Sequence, residues 1–225
     1  GYTTFKVGIP HEISATTETE YGFVKWAAFS TSFLSTSNQN GDKLFVDEND
    51  YNTRLLPHEL SSSVVSFDNP RSPNTNATVN ESREDVFIVP IVTERPRVNL
   101  TIPARGSNNV VRNMSVRISF TKPMDPSSFR EEGVVSITEG SITIIDGDME
   151  IASKDISNLF EEPILSRNGK MLTLKFTTDG LRVGYDSKST VNISISKEVK
   201  DIYGFSMVND ETISFTAGSG MDTIA

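Results

Sequence analysis

Three small groups of side chains are of the types that do chemistry. The two histidines, His11 and His58, lie far apart, and neither has an Asp or Glu at ligand spacing on a shared helix. A zinc site or a general base would therefore need ligands that converge only in the fold. Ordinary loop or surface positions explain both better. Asp146-x-Asp148-x-Glu150 sets three carboxylates at alternate positions, where a loop could turn them onto one calcium ion. Calcium takes about six to eight oxygens, and the glycine and closing glutamate of an EF-hand loop are absent at the required spacing. A solvated hairpin tip is the plainer reading, and the acidic run Asp47-Glu48-Asn49-Asp50 takes the same discount. Trp26 is the single tryptophan. A sugar platform needs a flat, exposed aromatic, whereas this one sits inside Phe23-Val24-Lys25-Trp26-Ala27-Ala28-Phe29 and reads as core. Tyr185 and Tyr203 fall in turn-like stretches and could lie at the surface. No serine sits in a Gly-x-Ser-x-Gly elbow and no glycine loop suits a phosphate, so no catalytic or cofactor-binding residue is assigned. Paired carboxylates for glycoside hydrolysis would meet only in the fold.

The elements that must position these groups belong to an ordinary globular chain. Its 225 residues suffice for one large domain or two of about 100 each. A net charge of −9 argues against nucleic acid, which calls for a basic face, and against anionic lipid. No apolar run approaches the ~20 residues of a membrane span, so direct membrane insertion is not expected. The absence of cysteine excludes disulfides, thiolate metal sites and a cysteine nucleophile, and leans towards a bacterial exported protein. Gly1 reads as a cloning remnant, so export and anchoring signals are expected outside this stretch. Five Asn-x-Ser/Thr sequons, at Asn76, Asn80, Asn99, Asn113 and Asn192, are expected by chance in a chain so rich in Ser, Thr and Asn.

Along the chain the pattern is that of strands. Residues 20–29 carry apolar groups on both faces, as a strand covered on both sides does. Residues 30–42 and 68–76 are loops, with strand candidates at 63–67 and 85–92. Pro90 inside the second candidate predicts a sheet edge or a bulge. The charged stretch Glu94-Arg95-Pro96-Arg97 separates two differently patterned halves and marks a domain boundary. Residues 98–102 begin a new alternation. In 116–125, Val116, Ile118 and Phe120 alternate with Arg117, Ser119 and Thr121, after which Lys122-Pro123 stops the ladder and Met124-Asp125 opens a turn. Strands at 134–138 and 141–145 are split by Glu139-Gly140, read as a hairpin turn. Residues 154–162 read as a short helix or an irregular crossover. Strands around 171–176, 191–195 and 212–216 complete about seven short strands, the pattern of a β-sandwich. The fold class is all-β, with two tandem domains: 1–95 small and mainly β, 96–218 a sandwich, and 219–225 a linker.

The second half resembles the bacterial Ig-like modules of surface-layer and other surface proteins. The likeness lies in Ile118-Ser119-Phe120-Thr121-Lys122-Pro123-Met124-Asp125, in Asn168-Gly169-Lys170-Met171-Leu172-Thr173-Leu174, in Val199-Lys200-Asp201-Ile202-Tyr203-Gly204-Phe205-Ser206-Met207, and in the closing Ile213-Ser214-Phe215-Thr216. The departures are Phe205, where that family usually has Asn, and a longer insert around 139–165. The first half is more faintly similar to the small, ubiquitin-like (β-grasp) repeats of internalin-type surface proteins, through Gly22-Phe23-Val24-Lys25-Trp26. The resemblances imply a non-catalytic structural or adhesive module, extracellular or at a bacterial cell surface, that spaces or presents other domains. The alternatives are a glycan- or protein-binding module, or an accessory domain of a larger secreted enzyme. The implied partners are other domains of the same chain and a host or cell-surface protein or glycan. No cofactor is expected beyond the calcium option at Asp146, Asp148 and Glu150.

Overall fold

A computed structural model describes residues 5–30, 59–81, 85–145 and 148–222, with backbone alone for 141–145 and 148–151. The chain divides into two compact units, Gly1–Glu94 and Arg95–Ala225.

The described part of the first unit is antiparallel β. Strands β1 (His11–Ser14), β3 (Val65–Phe67) and β4 (Asn74–Val79) form one sheet in the order β1-β4-β3. Strands β2 (Tyr21–Ser30) and β5 (Val86–Glu94) form another. Residues 26–29 of β2 are all buried, as its two-sided apolar pattern predicts. Pro90 faces Trp26 across the β2–β5 pair. The Trp26 amide donates away from β5, to the Pro70 carbonyl at 2.7 Å. The two residues are thus a pair without mutual hydrogen bonds, and the N–H that proline lacks would have pointed to the sheet edge. The ubiquitin-like option turns on the insert at 31–58 and lies outside the described residues.

The second unit is a sandwich of two four-stranded antiparallel sheets. One has the order β10-β11-β7-β6, built from β6 (Val98–Ile102), β7 (Val116–Phe120), β10 (Ile164–Leu165) and β11 (Met171–Leu174). The other has the order β13-β12-β8-β9, built from β8 (Val135–Ile145), β9 (Asp148–Asp155), β12 (Thr190–Ile195) and β13 (Glu211–Thr216). In chain order the first, second, fifth and sixth strands share one sheet and the rest the other, which is an Ig-like arrangement. The alternating residues Val116, Ile118 and Phe120 of β7 face Leu172 and Leu174 of β11 and, from the other sheet, Ile137, Ile193 and Phe215. A ring cluster fills one end: Phe160 stacks on Phe176 at 4.2 Å, and Tyr185 meets Phe176 at 5.0 Å and Phe215 at 5.3 Å, edge to face. Helix α1 (Thr178–Val183) runs beneath it, capped by Thr177, whose hydroxyl accepts the Gly180 amide at 3.0 Å.

Four expectations need correcting. Glu139-Gly140 is not a turn: β8 runs unbroken through it, with Gly140 between Thr190 and Ser153. Glu139 turns inward and accepts the Asp186 amide, so the carboxylate that signalled a solvated turn is held inside. Of the two readings of residues 154–162 the short helix fails and the irregular crossover holds: β9 continues to Asp155, and the chain then passes to β10 in the other sheet through a single 3-10 turn, Ser157–Leu159. Tyr185 is fully buried. In β6, the register shifts between Val98 and Leu100. A bulge of one residue swaps the faces of everything after it, so Thr101 is buried while Leu100 and Ile102 point to solvent.

Candidate functional site

Polar side chains inside the second unit meet at two places, and both meetings fasten backbone. At the first, β7 ends in Thr121-Lys122-Pro123 and the chain turns into a 3-10 helix, Pro126–Phe129. Asp125 caps it, its carboxylate accepting the Ser127 amide at 2.9 Å. The turn 201–205 docks on this corner. The Asp125 amide donates to the Lys200 carbonyl at 2.8 Å and the Ile202 amide to the Pro123 carbonyl at 3.1 Å. Asp201 closes its own turn by accepting the Tyr203 and Phe205 amides on Oδ1, at 3.0 and 2.9 Å. Its Oδ2 makes no aligned hydrogen bond but lies 3.2 Å from Lys122 Nζ, and both side chains are buried. The ammonium also lies over the Tyr203 and Phe205 rings, at 5.5 and 5.9 Å from their centroids. Met124 is fully buried beneath the corner, and at Gly169, with φ of +70°, an added Cβ would lie within about 3.3 Å of Pro123 and Met124. The Pro-Met-Asp corner is therefore a meeting point of three segments, built for packing.

At the second place, Glu139 and Tyr185 share the end of the core. The Tyr185 hydroxyl donates to the Met114 carbonyl at 3.1 Å, and Arg112 donates through Nε to the Tyr185 carbonyl. Burial, and then the charge of Glu139, push the Tyr185 phenol well above its ordinary value. A phenol so held stays protonated and donates; it has no tendency to act as a base.

The sequence candidates are spread through the chain. Asp146 and His58 lie outside the described residues, and Asp148 and Glu150 fall in β9 opposite Ile145 and Thr143, so the acidic trio as a set is outside them too. Among the described residues no three His, Asp or Glu side chains are gathered as a metal site would need. His11 sits in β1, its Nε2 accepting the Lys6 amide at 3.2 Å and its ring edge to face with Phe5. Trp26 is core, as read from the sequence, and its indole N–H donates to the Ser72 carbonyl at 3.0 Å. Tyr203 is half-buried over Lys122. Asp155 accepts the Ser157 amide, which with the Ser157 hydroxyl holds its carboxyl below the ordinary value.

What sequence reasoning missed is a surface. On the outward face of the β10-β11-β7-β6 sheet, cross-strand register lines up Leu100, Ser119 and Met171 in one row and Ile102, Arg117, Thr173 and Ile164 in the next. The four apolar members are 58, 40, 38 and 50 % exposed, for Leu100, Ile102, Met171 and Ile164. Arg117 stands among them, exposed. A depression of about 320 Å³, lined by Phe129, Arg130, Glu162 and Leu172, lies at the β10 edge of this sheet beside Ile164. Such rows depart from the polar exterior expected of an antiparallel sheet with one face in water. The bulge in β6 was the missing signal, because without it Leu100 and Ile102 belong to the core.

A family model described as a bacterial Ig-like domain matches residues 92–217. No curated protein matches the chain. Among solved structures, the chain is similar to domains 1-6 of surface layer protein SbsC, at 17% identity and a TM-score of 0.35, over 55% of this chain and 14% of that one. It is similar also to CopC from Methylosinus trichosporium OB3b, at 14% identity and a TM-score of 0.33, over 58% of this chain and 99% of that one. Likenesses this distant bear on neither activity nor partner.

Proposed function

Because the chain belongs to the bacterial Ig-like domain family through residues 92–217, we propose that it is a non-catalytic structural module of an exported bacterial surface protein, holding neighbouring modules apart. One observation carries the reading. The ionisable groups drawn into this sandwich are engaged in holding the fold: Asp201 and Glu139 accept backbone amides, Tyr185 donates to a backbone carbonyl, and Lys122 pairs with Asp201. An active site would instead aim such groups at a cavity. No helix among the described residues is long and apolar enough to cross a membrane.

The test is protease shaving of intact cells that express the complete gene. Release of peptides from residues 95–222 while a cytosolic marker stays intact is the expected result. Peptides that appear only after lysis would overturn the reading.

A second reading, a protein-binding module, is favoured by the apolar rows around Arg117. Protein is preferred to glycan because Trp26, the widest flat aromatic, is buried. Binding of the purified chain to intact cells should then fall for L100S/I164S with the melting temperature unchanged. Equal binding by the variant and the parent would remove this reading.

A further inference from the structure

Strands β6 and β7 belong to one sheet, yet the segment between them crosses to the other and lies along β13. It runs parallel to β13 there, with a parallel bridge between Val110 and Ala217. The Gly106 amide donates to the Ser214 carbonyl at 2.7 Å, the Thr216 amide to Ser107 at 2.8 Å, and the Val110 amide to Thr216 at 3.1 Å. The ladder continues past the end of β13. The Gly218 amide donates to the Val110 carbonyl at 2.7 Å and the Arg112 amide to the Gly220 carbonyl at 3.0 Å.

Side chains fasten both ends of this run. Arg105 donates from Nη1 to the Thr212 carbonyl at 2.8 Å and pairs through Nη2 with Glu211 at 2.6 Å. Asn113 donates from Nδ2 to the Asp222 carbonyl at 3.1 Å and accepts the Asp222 amide on Oδ1 at 2.9 Å. Residues 219–222, expected as part of a linker, are held in this way against the body of the unit.

We propose that residues 105–113, paired in parallel with residues 211–222, form a shear-loaded tether that bears tension along the chain. The geometry gives the reason. Where two segments run in the same direction, a pull on the N-terminal side of one and the C-terminal side of the other slides them past each other. Every hydrogen bond of the ladder is then strained together. An antiparallel pair pulled from one shared end instead opens bond by bond, each alone against the load. In a chain that spaces modules, tension enters this unit at Arg95, is met first by the pairing of β6 with β7, and leaves beyond residue 222, so once β6 gives way it loads the ladder in the sliding direction. The proposal's biological meaning rests on the spacer reading, but its mechanics do not.

Single-molecule force spectroscopy on the full chain, held between marker modules, tests it. The second unit, Arg95–Ala225, is identified by the longer of the two contour-length increments. The chain has no cysteine, so S187C, at an exposed residue just before β12, supplies a second point of attachment. Pulling between residue 187 and the C-terminus opens β13 from one end. The expected rupture force is roughly twofold or more higher for the end-to-end pull than for the pull from residue 187. R105A should lower the end-to-end force and leave the other unchanged, because Arg105 is reached last when β13 is peeled from its C-terminal side. Thermal unfolding of R105A and S187C verifies that both are folded. Equal forces in the two directions, or an end-to-end force that R105A does not change, would overturn the tether. Cells on which the chain resists shaving would sink the spacer reading and leave the mechanical result standing.

Discussion

Lys122 Nζ lies 3.2 Å from Asp201 Oδ2, joining the end of β7 to the turn ahead of β13. The two partners are not equivalent. Asp201 also holds its turn closed through the Tyr203 and Phe205 amides, so its removal opens the turn as well as taking a carboxylate from beside a buried ammonium. D201A should therefore lower the unfolding free energy by about 3–5 kcal/mol. K122M leaves the carboxylate its two amide donors and fills the same volume, and should cost about 1–2 kcal/mol. Urea unfolding of both variants checks the order. If K122M is as damaging as D201A, the ion pair rather than the closed turn holds the corner.

Met124 offers a harsher test of the same corner. It is fully buried where the 3-10 helix, the 201–205 turn and Gly169 converge. M124D places a charge in that buried site, and a loss of at least about 3 kcal/mol is expected. M124L conserves the volume and should cost less than about 1.5 kcal/mol. A melting temperature unchanged by M124D would show that the corner is loosely packed.

Much of this corner is legible in the sequence, since Val116, Ile118 and Phe120 alternate with a period of two and Pro123 marks where the ladder must stop. Asp125 as a cap follows from its place before Pro126. The partnership with Asp201 is not legible, because it joins residues far apart in the chain and nothing local to either names the other. Glu139 misleads for a physical reason. A carboxylate beside glycine normally seeks solvent, and only the fold supplies the Asp186 amide that draws it in. Leu100 and Ile102 mislead through register: a one-residue bulge is invisible in the alternation it inverts. Half of the outward apolar face, Leu100 and Ile102, was hidden by that single residue.

Gly180 separates space from backbone conformation. A Cβ built there would lie 2.1 Å from the Leu159 carbonyl oxygen, although the residue is helical and needs no positive φ. G180A should thus cost about 1–3 kcal/mol by overpacking, against the usual stabilisation of a helix by alanine. At Gly106 the reverse holds: φ is +74° and no atom lies within 4 Å of an added Cβ. G106A should cost about 1 kcal/mol from conformation alone. Equal unfolding free energies for G180A and the parent would mean that α1 shifts away from Leu159 without penalty.

Tyr185 sets an alkaline limit on the second unit. Its phenol is raised above the unfolded value of about 10 by burial and by the charge of Glu139. The folded state thus binds this proton more tightly than the unfolded chain does. The resulting stability is fully present below about pH 10 and is lost as pH rises above it. Y185F has no such proton to lose, so its stability should fall less steeply above about pH 10, even though it starts lower for want of the bond to Met114. Absorbance at 295 nm during alkaline titration provides the readout. In the parent, one of the five tyrosines should ionise only with unfolding, and that step should vanish in Y185F. A smooth titration of all five before any loss of structure would show that Tyr185 reaches solvent in the folded state.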